Sequence, residues 1–473
     1  MELEESLLWK KSAKELITLL KNKSISPAEA LNANLDRIKE THEDINAVVT
    51  ICEERAKSKI KELQADAPDL PGYLHGLPVL IKDLTEVKDV KTTFGSKIYE
   101  NNVSTHSDFL VEKIEKMGGI VLGKTNTPEF GAGSNTFNEV FGITANPWNI
   151  AYTAGGSSGG TASALAAGAA WLGTGSDLGG SLRNPASFCG VVGLRPTIGT
   201  VAHGPTNLPF NDLSVDGPMA RNVEDISIFL DTMSGLDSRD PLSSKKTNQS
   251  FQEEIYKEKS GLNIGVTDDY NMLACHPEVR ESINHAEKIL KQMGHNVTRI
   301  SPDFTHAEET FQILRAHLLS SGKRSLYESH KDVLKEDLRL NIEKGMKLQV
   351  SEIDKAKIFR GDIINKTNVF FKEFDILIAP SSMVPPFDKN TLWPEKVEDK
   401  TFDNYVSWLM TAATISITGC PALAVPCNFS SNNLPIGIQI VGQRRQEAMI
   451  LNLGYHFEKQ TKSNNLLPID PIK

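Results

Sequence analysis

Two stretches of this chain set serines among glycines: "AGGSSGGTASALAAG", residues 154–168, and "GSDLGGSLRNPASFCG", residues 175–190. Glycines leave backbone amides uncovered, and successive amides can converge on an anion. Acyl transfer needs such donors beside a nucleophile, because negative charge gathers on the carbonyl oxygen in the transition state. Two serine-bearing loops suggest a proton relay and leave a base to be found. Residues 156–160 also satisfy GxSxG with Ser158 central. That elbow needs a strand directly before it, and "NPWNIAYTA" shows little apolar alternation. No Lys-Ser/Thr pair follows the glycines, as a phosphate-binding P-loop demands.

Histidine is the usual base, and the chain has 11, among them His75, His106 and His203. None stands in a recognisable triad context, and no HExxH marks a zinc site. Lys82 closes the apolar run "LPVLI", where a strand would carry it to the edge of a buried sheet. Desolvation there could bring a lysine from its usual pKa of about 10.4 toward neutrality, at a cost of about 4 kcal/mol for ~3 units. The local sequence alone favours a plainer reading, in which Lys82 reaches to solvent or pairs with the adjacent Asp83.

The stretch "GGSSGGTASALAAGAAWLGTGSDLGGSLRNPA" resembles the amidase signature family over the whole of its defining motif, including both serines, Asp177, Arg183 and Pro185. Ser181 lies 24 positions after Ser157, and Ser157 lies 75 after Lys82, which matches the family's Ser-cis-Ser-Lys arrangement. "LHGLPVLIKD", "GKTNTPEFG", "NPWN", "FCGVVGLRPT", "DGPMAR", "CPALAVP" and "LPIGIQIVG" extend the likeness from roughly residue 10 to 460. Ala154 departs from the proline usual before the first glycines.

The resemblance implies that Ser181 is the nucleophile, Ser157 a bridging serine after a cis peptide bond, and Lys82 the general base. Amides of Leu178, Gly179, Gly180 and Ser181 would form the oxyanion hole, and Asp177 and Arg183 would shape the loop. No metal or cofactor is needed. Trp148, Phe210, Trp393, Tyr405 and Trp408 are candidates for the substrate pocket, and Arg360 with Asp362 is expected to form a surface pair. The glutaminase component of tRNA-dependent amidotransferases typically carries "RYGL" and paired tyrosines, which are replaced here by "IGTVAHGPTNLPFNDLSVDGPMAR" and "RAHLLSSGKRSLYESHKDVL". Membrane fatty acid amide hydrolases have an N-terminal spanning helix that this chain lacks. A free-standing amidase of small carboxamides or aryl amides is the reading that remains. A silent scaffold would usually have lost one of Lys82, Ser157 and Ser181.

These residues need a frame to hold them. In 473 residues, 39% hydrophobic and 23% charged with a net charge of -9, there is material for a large core and no dominant basic surface for nucleic acid. "MELEESLLWKKSAKELITLL" has acids where a signal peptide needs bases, the longest small-and-apolar run is too short to cross a bilayer, and the five cysteines are scattered. A cytoplasmic enzyme with reduced thiols, acting on a small-molecule amide, is expected; a homodimer stays open. Capping boxes at Ser12 and Ser26 predict two opening helices. Strand-like runs "LPVLIKDL", "IVLGKT", "LNIGVTDD", "HNVTRIS", "DILIAPSS" and "LPIGIQIVG" alternate with helical ones, which predicts a single α/β domain over residues 1–473. Its mixed sheet would carry helices on both faces, with a helical layer over about 304–374 covering the substrate pocket. "GLDSRDPLSSKKTNQSFQ" is either a linker or a surface loop.

Overall fold

Ser12 and Ser26 each accept a hydrogen bond from the amide three residues on, while Glu15 and Glu29 reach back to the cap amides. Each reciprocal pair satisfies donors that a helix start leaves open, so the helices Ala13–Lys21 and Pro27–Ile45 begin where the sequence predicts. The structure, a computed structural model, describes residues 5–63, 68–246 and 250–473.

Eleven strands share one sheet: β1 (Val48–Ile51), β2 (Pro78–Lys82), β3 (Ile120–Thr125), β4 (Leu172–Asp177), β5 (Val192–Arg195), β6 (Val215–Ala220), β7 (Asn263–Val266), β8 (Asn296–Arg299), β9 (Ile376–Pro380), β10 (Ala422–Phe429) and β11 (Pro435–Gly442). Their spatial order is β1-β3-β2-β4-β6-β5-β10-β11-β9-β7-β8. Parallel pairing joins β2 to β3 and β4, and β7 to β8 and β9; the remaining neighbours are antiparallel. This is a mixed α/β fold.

Side chains alternate across a strand, so each central strand feeds cores on both faces of the sheet. Val79, Ile81, Leu423, Val425, Ile376 and Ile378 join the core of the helices Ala13–Lys21, Val223–Met233 and Glu447–Thr461. Leu80 and Ala424 join that of Pro27–Ile45 and the small-residue helix Gly159–Ala166. Leu377 and Ala379 pack with the helices Ala307–His330 and Val350–Phe370. Burial on both faces explains why β2 reads as one continuous apolar run.

Residues 235–246 form a loop, the short helix Phe251–Glu254 follows, and residues 247–249 lie outside the described ones. Strands from before it (β5, β6) lie beside strands from after it (β10, β11), so one core spans both parts of the chain. "NPWNIAYTA" differs from expectation. Asn149–Thr153 is a strand, paired with Ala145–Asn146 outside the main sheet. Its amides at Ile150 and Thr153 donate to Ile472 and Phe387, partners too distant in sequence for local alternation to reveal. No helix among the described residues is long and apolar enough to cross a membrane. The five cysteines are unpaired.

Between residues 304 and 374 the chain forms three helices, Ala307–His330, Glu336–Lys347 and Val350–Phe370. The first two pack tightly at Gly345, where a Cβ would overlap the Ala316 carbonyl and come within 2.7 Å of Ser320 Cβ. Helix propensity alone would make Gly345→Ala stabilising by ~1 kcal/mol. The collision should reverse that sign, giving a loss of about 1–3 kcal/mol in denaturant unfolding; an alanine variant as stable as the parent would refute this packing.

Candidate active site

β2 carries Lys82 to its carboxyl end, between β3 and β4. The side chain is fully buried, with Nζ 2.7 Å from Ser157 Oγ, 2.9 Å from Ser158 Oγ and 3.0 Å from Ser176 Oγ. Burial lowers its pKa to about 7, against the upward pull of Asp216 and Asp177. A pair with Asp83 does not form, because that carboxylate accepts from Lys124 Nζ at 3.1 Å and Thr93 Oγ1 at 2.6 Å. Lys82 therefore has hydroxyls and no carboxylate in ion-pair contact among the described residues, so burial outweighs the more distant Asp216 and Asp177 and favours the neutral amine.

The serines come from two loops that the fold ties together. Ser157 follows a cis peptide bond from Gly156, and Ser158 precedes the helix Gly159–Ala166. Ser134 Oγ donates to the Gly156 carbonyl at 2.8 Å and Thr136 Oγ1 to that of Gly155 at 2.7 Å, which sets the course of the loop. Across the gap, the Ser158 amide donates to the Ser181 carbonyl at 3.2 Å. No hydrogen bond joins Ser157 Oγ to Ser181 Oγ among the described residues; such bonds commonly tighten only when substrate is bound.

Asp177, at the end of β4, organises the second loop. Its carboxylate accepts from the Gly180 and Leu182 amides at 2.9 and 3.1 Å, from Arg183 Nε and Nη2 at 3.0 and 2.9 Å, and from Arg195 Nη1 at 3.1 Å. Burial by itself would raise this carboxyl, but the Arg183 and Arg195 guanidinium groups outweigh it and hold it well below the usual range. Arg183 also donates to the Ala412 carbonyl, Gln439 Oε1 and Ser416 Oγ, each at 2.8 Å, and so anchors the loop to β11 and the helix Met410–Thr418. Gly180 departs from the sequence expectation. At φ +116° its amide turns inward to Asp177, which leaves the amides of Leu178, Gly179 and Ser181 without partners among the described residues.

Ser157, Ser176 and Ser181 line one cavity of about 100 Å³, with Leu84, Phe130, Leu178, Phe311, Leu319 and Leu409 as apolar walls and Tyr405 and Arg315 as polar ones. A larger groove, about 990 Å³, lies between the helix Pro27–Ile45 and β1, but it contains none of these serines. Size does not locate the chemistry here. Of the five aromatics expected at the pocket, Tyr405 lines it. Trp408 is buried in the neighbouring core against Phe387, and Trp393 packs on the same core. Trp148 donates from Nε1 to the Cys189 carbonyl at 2.9 Å, and Phe210 is 74% exposed beside a separate cavity. Arg360 pairs with Asp212 at 2.7 Å rather than with Asp362, which takes Lys366 at the same distance. His75, His106 and His203 lie away from the cavity lining; His203 is held by Asp216 at 2.7 Å.

Local reasoning missed Ser158 and Ser176 as neighbours of Lys82, Arg195 as a partner of Asp177, and the wall formed by Phe311, Arg315 and Leu319. The last had a readable signal, since those three recur at intervals of four along one helix.

The sequence model of the amidase family matches residues 29–451. The chain belongs to the amidase family. The acylamidase of Rhodococcus erythropolis is 32% identical, over 99% of this chain and 99% of its own. A glutamyl-tRNA(Gln) amidotransferase component from Sulfurihydrogenibium sp. (strain YO3AOP1) is also 32% identical, over 98% of this chain and 99% of its own. A bacterial aryl acylamidase of the amidase signature enzymes superposes with a TM-score of 0.90 at 26% identity, over 98% of this chain and 99% of that one. This amidase therefore acts on amide C–N bonds.

A buried neutral lysine leaves a signature in stability that does not depend on turnover. With Lys82 lowered from 10.5 to about 7 on folding, the unfolded chain binds more protons between those values. Stability should then rise with pH by up to about 1.4 kcal/mol per unit through that window, and its contribution is lost as pH falls to 7. Unfolding of the parent and Lys82→Met, compared from pH 7 to 9, should show that extra slope in the parent alone. Parallel curves would mean that the lysine is not neutral in the fold.

Proposed function

We propose that this amidase hydrolyses small amides with an apolar aryl or alkyl acyl group, through an acyl-enzyme on Ser181. The observation that carries this reading is the 2.7 Å contact of buried Lys82 Nζ with Ser157 Oγ, beside a cavity that Ser181 also lines. A neutral amine has one lone pair and two N–H donors, so three surrounding hydroxyls can fill it while one of them gives its proton to nitrogen. Ser157 passes its proton to Lys82 and takes that of Ser181, whose Oγ attacks the amide carbonyl. The open amides of Leu178, Gly179 and Ser181 receive the developing oxyanion, and Asp177 with Arg183 holds the loop that presents them. Collapse of the tetrahedral intermediate breaks the C–N bond as the proton returns through Ser157 to the leaving nitrogen. Water, deprotonated by the same route, then releases the carboxylate.

A second reading is the glutaminase component of a tRNA-dependent amidotransferase, since a relative named for that complex matches as well as the acylamidase does. The lining argues against it. Glutamine brings an α-ammonium group, and no Asp or Glu lines the cavity to meet it. The assay is direct: the purified chain should turn over simple amides without partner proteins, and release of ammonia from glutamine alone, with silence toward simple amides, would favour the glutaminase.

Ser181→Ala should abolish hydrolysis and labelling by a fluorophosphonate. In the parent, kcat/KM should fall about tenfold per pH unit below an apparent pKa near 7, because Lys82 is then protonated and cannot accept a proton. The apolar walls should make benzamide or hexanamide a better substrate than acetamide; a preference for acetamide would sink the apolar-acyl assignment.

A further inference from the structure

The cavity beside Ser181 holds a cation that the reaction scheme does not use. Arg315, on the helix Ala307–His330, is 6% exposed and lines the cavity. Its named partners are both neutral: Nη1 donates to Asn341 Oδ1 at 2.5 Å and Nη2 to the Tyr405 hydroxyl. Two of its five N–H donors are thereby met, and no carboxylate lies within ion-pair distance among the described residues. The acids around it are engaged elsewhere. Asp337 pairs with Lys335 at 3.4 Å, and Glu129 accepts from Ser96 Oγ and the Lys335 amide. Arg183 and Arg195, equally buried in the same fold, share the carboxylate of Asp177. Buried charges are ordinarily paired, since an unpaired one loses its hydration without return.

Two further cations stand at the rim. Lys323, two turns along the same helix, sits over the Phe130 ring at 4.4 Å with no carboxylate in reach among the described residues, and burial lowers its pKa. Lys335 Nζ is 3.3 Å from the Ala132 carbonyl, and Phe130 and Ala132 both line the cavity. Phe311, one turn before Arg315, sits so close to Gly179 that a Cβ there would lie 2.9 Å from its ring. Phe311 and Arg315 thus present successive turns of one helix to the cavity that Gly179 and Ser181 also line. A planar guanidinium with free N–H groups matches the two oxygens of a carboxylate.

Building on the amide-hydrolase reading above, we propose that the amide substrate carries a carboxylate, which Arg315 binds while the apolar walls hold the carbon chain between it and the scissile bond. The carboxylate can belong to the acyl half, as in an ω-amido acid, or to the amine half, as in an N-acyl amino acid. Arg315 is a substrate-binding residue in this account, and Lys323, which has no carboxylate partner among the described residues, adds to the positive field that draws an anion in.

The test compares matched substrates on the parent enzyme. One arm sets the ω-amido carboxylates from malonamate to suberamate against neutral alkyl amides of the same length. The other sets N-benzoyl amino acids against N-alkyl benzamides. At least one anionic member should exceed its neutral match by tenfold or more in kcat/KM, and the arm that shows it identifies the half. Arg315→Met should reduce that ratio at least tenfold, mainly through KM, while Arg315→Lys should retain part of it. No anionic preference in either arm, or a preference that survives Arg315→Met, overturns the proposal while leaving amide hydrolysis intact. Should no amide be turned over, the amide-hydrolase reading fails instead. Thermal stabilisation by adipate against neutral adipamide then decides for Arg315: an equal response to both overturns its role, and a shift with adipate alone, lost in Arg315→Met, supports it.

Discussion

A lysine buried without a carboxylate is the constraint on which the rest of this site depends. Neutralising Lys82 costs on the order of 5 kcal/mol relative to an exposed lysine, taking its fall from 10.5 to about 7 at 1.36 kcal/mol per unit. Such a cost is tolerable only in a large core. The eleven-stranded sheet supplies one, with β2 covered on both faces. Had Asp83 turned toward Lys82, the amine would stay charged; Lys124 and Thr93 hold that carboxylate away.

The second loop solves the opposite problem. In the proposed mechanism its amides must stay free, and Asp177 absorbs the hydrogen-bonding demand of its neighbours. The carboxylate takes the amides of Gly180 and Leu182 and two guanidinium groups, and the amides of Leu178, Gly179 and Ser181 have no partner among the described residues. Arg183 transmits that geometry to β11 and the helix Met410–Thr418 through neutral acceptors. Lys82 is useful because it has no ionic partner, and Asp177 because it has two.

Beside both loops, the helix Ala307–His330 contributes Phe311, Arg315 and Leu319 to the cavity wall. Close packing at Gly345 draws two of these helices together, and Asn341 on one of them accepts from Arg315 on the other. The sheet and its glycine loops therefore hold Lys82, Ser157 and Ser181, and the helix Ala307–His330 adds apolar side chains and a cation to the cavity wall. The family comparisons fit this division, since relatives named for different reactions match the whole length of the chain at the same identity.

The sequence by itself marked the elements and the candidate reacting residues. Capping boxes, apolar runs and the spacing of Lys82, Ser157 and Ser181 are local or motif-level signals, because a helix start, a buried strand and a glycine-lined loop each need particular residue types at fixed offsets. Only the tertiary structure decided what those residues meet. Ser176 reaches Lys82 because β4 pairs with β2, and Arg195 reaches Asp177 because β5 lies two strands from β4. Trp408 and Tyr405 are three residues apart, yet one is core and the other lines the cavity, a matter of which way each side chain faces in packing. Neither Gly180's inward amide nor Arg315's lack of a carboxylate is written in any local pattern. Hydrogen bonds and ion pairs are settled by which groups arrive together in space, and in this fold the partners of Arg183 alone come from up to 256 positions away.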